Sequence, residues 1–289
     1  MKAGVIGLGA MGSGIAANLA RAGALSAVWN RSRERAEAFA AEHGVALADE
    51  PATVAAAADV LLISVGADND LLEVLNALRD GLAPGKVVVD TSTVAPDTAR
   101  TAAERLSDSG ATFLDAPVSG GPEGARQGTM VMMVGGDAAI LERIQPLLDP
   151  ICSAAHHMGP VGAGQATKAV NQIMVAGIMQ GVATALAYGR GQGLDLQQVI
   201  EVVGAGAAGN WQLAQRGPNM VEDRFPPGFK LALHRKDLAI VRDLLAAQGI
   251  EQTLIEQTLA DYDRLIAQGH GEEDISALYR LRKMELGAQ

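Results

Sequence analysis

Cysteine is almost missing from this chain of 289 residues, where Cys152 stands alone. One thiol excludes an internal disulfide and fits a reducing compartment, and without a Cys/His cluster no structural zinc site is expected. Aromatic residues are scarce as well. Four Phe, three Tyr and two Trp are too few for a surface that stacks nucleobases. Positive charge is the third shortage: 23 Lys and Arg stand against 33 Asp and Glu, a net charge of -10. Nucleic acid is therefore not an expected partner, and an anionic ligand must be held by a local site.

Membrane signals are also lacking. The opening "MKAGVIGLGAMGSGIAANLA" has a basic start and an apolar run, but Gly7, Gly9, Gly12 and Gly14 are too many for a signal helix. The uncharged run Ile173–Gly189 holds Gln180, Thr184 and several glycines and is short for a span. It reads as a buried helix of a cytoplasmic protein. With 48% hydrophobic and 19% charged residues, the composition is globular, and the length allows two domains.

The first half alternates β-like runs with alanine-rich amphipathic stretches. The runs are Lys2–Ile6, Ala24–Trp29, Val60–Val65, Lys86–Asp90, Ala111–Ala116 and Thr129–Val134, with helical stretches such as Arg31–Glu42 and Asp68–Asp80 between them. Such alternation implies crossover connections and a mainly parallel sheet. From about Gly164 the pattern is helical: Gln165–Arg190, Leu196–Gly204, Lys236–Gln248 and Ile250–Gln268. The expected fold class is α/β: a doubly wound domain over residues 1–162, then an all-α domain over 163–289, joined by a long helix.

Gly7-x-Gly9-x-x-Gly12 follows the first run and opens a helical pattern. Glycines at this spacing allow a tight turn, close approach to a pyrophosphate and close helix–strand packing, with the phosphates at a helix N-terminus. At the end of the second run, NAD readers usually carry an acid for the ribose 2′-hydroxyl. This chain has Asn30-Arg31-Ser32. An acid would repel a 2′-phosphate, whereas an arginine pairs with one, so NADP(H) is expected over NAD(H).

Two further stretches carry candidate chemistry. "DAPVSGG", Asp115–Gly121, ends a strand, and Ser119-Gly120-Gly121 offers a hydroxyl and two unhindered N–H groups suited to a carboxylate. In "QATKAVNQ", Gln165–Gln172, Lys168 is the only Asp, Glu, Lys or Arg between Asp149 and Arg190. A lysine in apolar surroundings either snorkels to water or has its pKa lowered and exchanges a proton near neutrality. On a helix, Lys168, Asn171, Gln172 and Val175 share one face. Paired His156 and His157 lack companion ligands, and Trp211 reads equally as a pocket border or a helix anchor.

Together "GLGAMGSGIAANL", "DTSTVAP", "DAPVSGGPEGARQGT", "GAGQATKAVNQ" and "LHRKDL" resemble the β-hydroxyacid dehydrogenases, in order and along essentially the whole chain. The resemblance implies a Rossmann domain, a helical C-terminal domain and an assembly of two or four copies. It implies reversible reduction of a short semialdehyde acid to its β-hydroxyacid without a metal. Gly7, Gly9, Met11, Gly12, Asn30, Arg31, Ser32 and Thr93 would bind the cofactor, with Lys236 and Asp237 reaching its edge. Ser119, Gly120 and Gly121 would hold the substrate carboxylate, and Lys168 would be catalytic with Asn171 assisting.

Many relatives carry two asparagines where this chain has Asn171-Gln172, which leaves open which of the two meets the substrate. That pair, with "PPGFKLALHRKDL" and "GEEDISAL", resembles the tartronate semialdehyde reductase branch; 3-hydroxyisobutyrate and 4-hydroxybutyrate are the alternative substrates. A binding module without turnover and an imine reductase are less favoured, because both usually change the lysine. Gly177, Gly181 and Ala185, four residues apart, permit close packing of another helix, in keeping with a homo-oligomer.

Overall fold

Three of the β-like runs are apolar almost throughout, the pattern of strands covered on both faces. In Ala3–Ile6, Val60–Ile63 and Val87–Asp90 every residue is buried. Their side chains alternate between two cores. Ala3, Val5, Val60, Leu62, Val87 and Val89 join Ile15 and Leu19 on one face, while Ile6, Leu61, Ile63 and Val88 join Val54 and Leu71 on the other.

The computed structural model describes residues 1–285 and 287. Among them nine strands form one sheet: β1 (Ala3–Ile6), β2 (Leu25–Trp29), β3 (Ala46–Leu47), β4 (Val60–Ile63), β5 (Val87–Asp90), β6 (Thr112–Asp115), β7 (Val118–Ser119), β8 (Met130–Gly135) and β9 (Cys152–Gly159). Their order is β3-β2-β1-β4-β5-β6-β8-β7, with β9 on β8. The strands from β3 to β6 are parallel, and β8 runs antiparallel to β6 and β7. This is a Rossmann-type doubly wound sheet. Its order reverses at β1, which pairs with both β2 and β4, and ligands of such sheets bind beyond the strand ends at that point.

Three strands were not legible as runs. β3 and β7 have two residues each, too short for a pattern, and β9 pairs only with β8 and is largely solvent-facing. His156 and His157 belong to β9 and are exposed; His157 Nε2 lies 2.8 Å from the Gly136 carbonyl oxygen.

The chain divides into two compact units, Met1–Lys168 and Ala169–Gln289. The boundary falls inside the 29-residue helix Ala163–Gly191, whose start is bonded into the first unit. The helix is long and apolar enough to cross a membrane by composition alone; within the second unit its Met179, Ala183 and Leu186 are buried with Leu238, Tyr262 and Tyr279. Helices Leu196–Gly204, Trp211–Val221, Leu231–Ala247, Thr253–Ala267 and Leu278–Glu285 complete that unit. Helix Leu231–Ala247 starts five residues before the expected Lys236, three residues after Gly228 of Pro226-Pro227-Gly228, so Lys236 and Asp237 lie in its second turn.

Candidate active site

The glycine loop between β1 and the helix Ala10–Arg21 is set by three different constraints. Gly7 has φ +91°, and a Cβ there would overlap the Ser64 carbonyl oxygen. A Cβ on Gly12 would overlap the Gly7 carbonyl oxygen, so the helix packs directly on the strand end. At Gly9, by contrast, an added Cβ would meet no protein atom within 4 Å. Gly9 is also the helix N-cap, with no side-chain cap and no acid in the first turn. Unhindered N–H groups at a helix start, bordered by open space, fit the pyrophosphate of a dinucleotide. Met11 lies half-buried in that first turn against the core of the unit.

The residue after β2 braces this loop. Asn30 Oδ1 accepts the Leu8 N–H at 2.8 Å, and its Nδ2 donates to the Ser32 carbonyl at 3.0 Å. Arg31 next to it is solvent-exposed and pairs with Asp70 at 2.9 Å. Ser32 caps the following helix in position only, its hydroxyl making no capping bond.

The candidate proton donor sits at the other side of the sheet order, past β6. Lys168 is buried, 7% exposed, and its Nζ donates to the Val118 carbonyl oxygen at 2.8 Å. Val118 immediately precedes Ser119, Gly120 and Gly121. The last two have φ of +133° and +62°, which turns the chain sharply from β7 into the short helix Gly121–Gln127. Thr93, half-buried, lies in the loop after β5. Both of its neighbours bond Gln165: Nε2 donates to the Ser92 carbonyl at 2.8 Å and Oε1 accepts the Val94 N–H at 3.2 Å.

Asp115, at the end of β6, is fully buried. It accepts the N–H groups of Gly162 and Gln165 at 2.7 and 2.8 Å, the first unpaired donors of the long helix. Burial pushes its carboxyl above the usual range, against the opposing effect of those N–H groups. Cys152 is inert in character: burial first, then the charge of Asp149, pushes its thiol up to about 11.

In the second unit four of the expected residues form one chain of bonds. Asn171 Nδ2 donates to Gln172 Oε1 at 2.7 Å, and Gln172 Nε2 donates to Asp237 Oδ2 at 2.6 Å. Lys236 Nζ pairs with Asp237 Oδ1 at 2.9 Å. Gln172 is 1% exposed, with both ends of its amide engaged, whereas Asn171 is half-buried. Trp211 is exposed and lies against the Arg216 guanidinium, 5.0 Å from its ring centre, so it is not packed into the core of its unit.

Comparison with known proteins covers nearly the whole chain. The family model for the NAD binding domain of 6-phosphogluconate dehydrogenase matches residues 2–159. The model described as NAD-binding of NADP-dependent 3-hydroxyisobutyrate dehydrogenase matches residues 162–282. The 2-hydroxy-3-oxopropionate reductase of Escherichia coli is 36% identical, and the match covers 96% of each chain. This chain belongs to the β-hydroxyacid dehydrogenase family.

The NAD-dependent L-serine dehydrogenase of Pseudomonas aeruginosa is 35% identical, again over 96% of each chain. The solved Mycobacterium tuberculosis 3-hydroxyisobutyrate dehydrogenase with L-serine superimposes with a TM-score of 0.87 at 31% identity, covering 97% of this chain and 98% of that one. As a β-hydroxyacid dehydrogenase, the chain is an NAD(P)-dependent oxidoreductase acting on CH–OH groups. Sequence reading passed over two buried residues of the site region, Asp115 and Gln165. Both lie in motifs it quoted, and their polarity at apolar strand and helix ends was the available signal.

Proposed function

We propose that this β-hydroxyacid dehydrogenase interconverts a short semialdehyde acid and its β-hydroxyacid, with tartronate semialdehyde as the substrate and NADP(H) as the cofactor. The observation that carries the reading is the Lys168 ammonium held 2.8 Å from the carbonyl of Val118, one peptide before the Ser119-Gly120-Gly121 turn. A carboxylate on that turn lies next to a proton donor. The Ser119 hydroxyl and the N–H groups of Gly120 and Gly121 bind the carboxylate, and this fixes where the β-carbon and its oxygen stand.

The nicotinamide cofactor supplies the hydride in reduction and takes it up in oxidation. Gly7, Gly9 and Gly12 with the helix start would hold its pyrophosphate, and Thr93 would meet its nicotinamide end. Lys168 gives a proton to the oxygen of the reduced carbonyl and, in the oxidative direction, removes the hydroxyl proton as a neutral amine. Asn171 orients that oxygen. Gln172 holds Asn171 and Asp237 rather than substrate, because its amide is buried and engaged.

Preference for NADP(H) rests on charge. No acid directly follows β2, Asn30 spends its side chain on the loop, and Arg31, exposed and paired with Asp70, supports the reading because a guanidinium pairs with a 2′-phosphate. The substrate choice rests on the reductase relative and on the resemblance of the Asn171-Gln172 pair to that branch. L-Serine, named for two relatives, also carries a carboxylate and a primary alcohol on the β-carbon, and is the specific competitor.

Steady-state assays with tartronate semialdehyde, methylmalonate semialdehyde and succinic semialdehyde, and with L-serine in the oxidative direction, test the reading with both cofactors. The highest kcat/KM is expected for tartronate semialdehyde with NADPH. A higher value for L-serine with NAD overturns both the substrate and the cofactor assignment. Another face of the long helix leaves Gly181, Ala185 and Tyr188 exposed, and we read it as a contact between copies; sedimentation at micromolar concentration showing only monomer refutes that.

A further inference from the structure

We propose that Gln165 is a positioning residue for the reaction, its buried carboxamide and the Asp115 carboxylate together fixing where Lys168 stands relative to the Thr93 and Ser119 loops. The inference rests on the catalytic reading of Lys168 given above.

Gln165 is 2% exposed and makes three bonds in two directions. Its side chain bridges the Ser92 carbonyl (2.8 Å) and the Val94 N–H (3.2 Å), one on each side of Thr93. Its backbone N–H donates to Asp115 Oδ2 at 2.8 Å, while Asp115 Oδ1 takes the Gly162 N–H at 2.7 Å. The first turn of the long helix is therefore tied to the loop after β5 and to the end of β6. Gly164 adds a steric stop, since a Cβ there would overlap the Met133 carbonyl oxygen and press on Asp115.

Lys168 follows Gln165 by three residues, which places it on the same helix face, about 4.5 Å further along the axis. Any slide or rotation of this turn is passed directly to the Lys168 Nζ and to its bond with Val118.

The chemistry of the bridge selects glutamine. One donor and one acceptor are needed at the end of a two-methylene stem, because the groups read are a backbone carbonyl and a backbone N–H. Only a carboxamide, or a protonated carboxyl, offers both. An ionised glutamate would set an oxygen against the Ser92 carbonyl. Methionine would fill the space but leave two buried backbone groups without their present partner. A residue serving only to fill the core would carry neither requirement.

The test is a set of variants of the full chain, with kcat, cofactor dissociation constant and melting temperature measured for each. Gln165→Met and Gln165→Ala should lower kcat about 100-fold, the scale of a 1 Å misplacement, with cofactor affinity kept within about two-fold. In a Lys168→Ala background the same substitutions should cost nothing further, because the group they position is gone. Gln165→Glu should regain turnover as pH falls towards about 5, where protonation of its carboxyl restores the donor. A folded Gln165→Met at wild-type kcat overturns the proposal, as does an equal loss in both backgrounds or a Gln165→Glu pH profile that follows the wild type. Full turnover by Lys168→Ala alone is a different failure, since it removes the catalytic reading and this inference with it.

Discussion

Lys168 Nζ and the carbonyl oxygen of Val118 stand 2.8 Å apart, a bond that joins the long helix to the residue before the Ser119 turn. A backbone carbonyl accepts equally from an ammonium and from a neutral amine, both of which carry N–H groups. The bond therefore survives proton loss. Lys168 can give up its proton and take one back without leaving its place, which is what a general acid that also works in reverse requires.

Lys168→Arg is the sharper of two substitutions at this site. Arginine keeps the charge and can still donate to Val118, but it cannot release a proton. Turnover should fall by about 10²–10⁴-fold, the range for a lost general acid, with cofactor binding by fluorescence titration unchanged. Lys168→Ala should show the same loss. A Lys168→Arg enzyme at full rate would falsify proton transfer by this residue.

The glycine loop separates folding from binding. Gly9→Ala adds a methyl group that touches no protein atom, so stability should fall by no more than about 1 kcal/mol, the scale of an N-cap glycine replaced by alanine. The same methyl group intrudes where the pyrophosphate is proposed to lie, and cofactor affinity should fall about tenfold or more, some 1.4 kcal/mol. Gly7→Ala should behave in the opposite order. Its φ of +91° and the overlap with Ser64 cost about 1–3 kcal/mol in the folded state. Melting curves of the apo proteins, set beside cofactor titrations, separate the two effects.

These contrasts bear on what a sequence discloses. The sheet was readable because β1, β4 and β5 are buried on both faces and so carry unbroken apolar runs. Helix Leu196–Gly204 was readable at both ends because an aspartate, Asp195, caps it and its pattern is amphipathic. β9 was not, since an exposed edge strand needs no apolar alternation. Trp211–Val221 was not recognised as a helix either; it contains Gly217 and Pro218, which read as breakers. Gln165 and Asp115 escaped for another reason. Their partners are backbone groups 47 to 73 residues away, and no local spacing encodes a bond to a distant main chain.

Cofactor choice should respond to Asp70 as well as to Arg31. The Arg31–Asp70 pair is exposed on the arginine side, and pairs of that kind are weak. Asp70→Asn releases the guanidinium and removes a negative charge from the neighbourhood, so the KM for NADPH should fall up to about fivefold with little change for NADH. Arg31→Ala should raise the KM for NADPH about tenfold or more, the loss of a charge-assisted bond. Equal effects on both cofactors would mean that Arg31 does not meet the 2′-phosphate.

Asp274 shows that a residue of a family-like motif can be structural. It lies in "GEEDISAL", yet its carboxylate is buried and holds three segments together. Arg216 pairs with both oxygens at 2.7 and 3.0 Å, and the N–H groups of Gly228, Phe229 and Ser276 donate to them at 2.8–3.2 Å. Burial alone raises the pKa of this group, but the Arg216 guanidinium and the backbone donors outweigh it and hold the carboxyl below its usual value. The unfolded chain therefore binds the proton at higher pH than the folded one does. The stability contributed by Asp274 is present above the unfolded value of about 3.9 and is lost as pH falls through the lower folded value. Asp274→Asn removes the charge that Arg216 faces, and should cost about 3–5 kcal/mol at pH 7, the scale of a broken buried pair. Chemical denaturation of the two proteins from pH 7 downward checks this: the gap between them should be constant above about pH 5 and narrow below it. A gap that stays unchanged to pH 3 would show that the carboxylate charge contributes nothing to holding these segments.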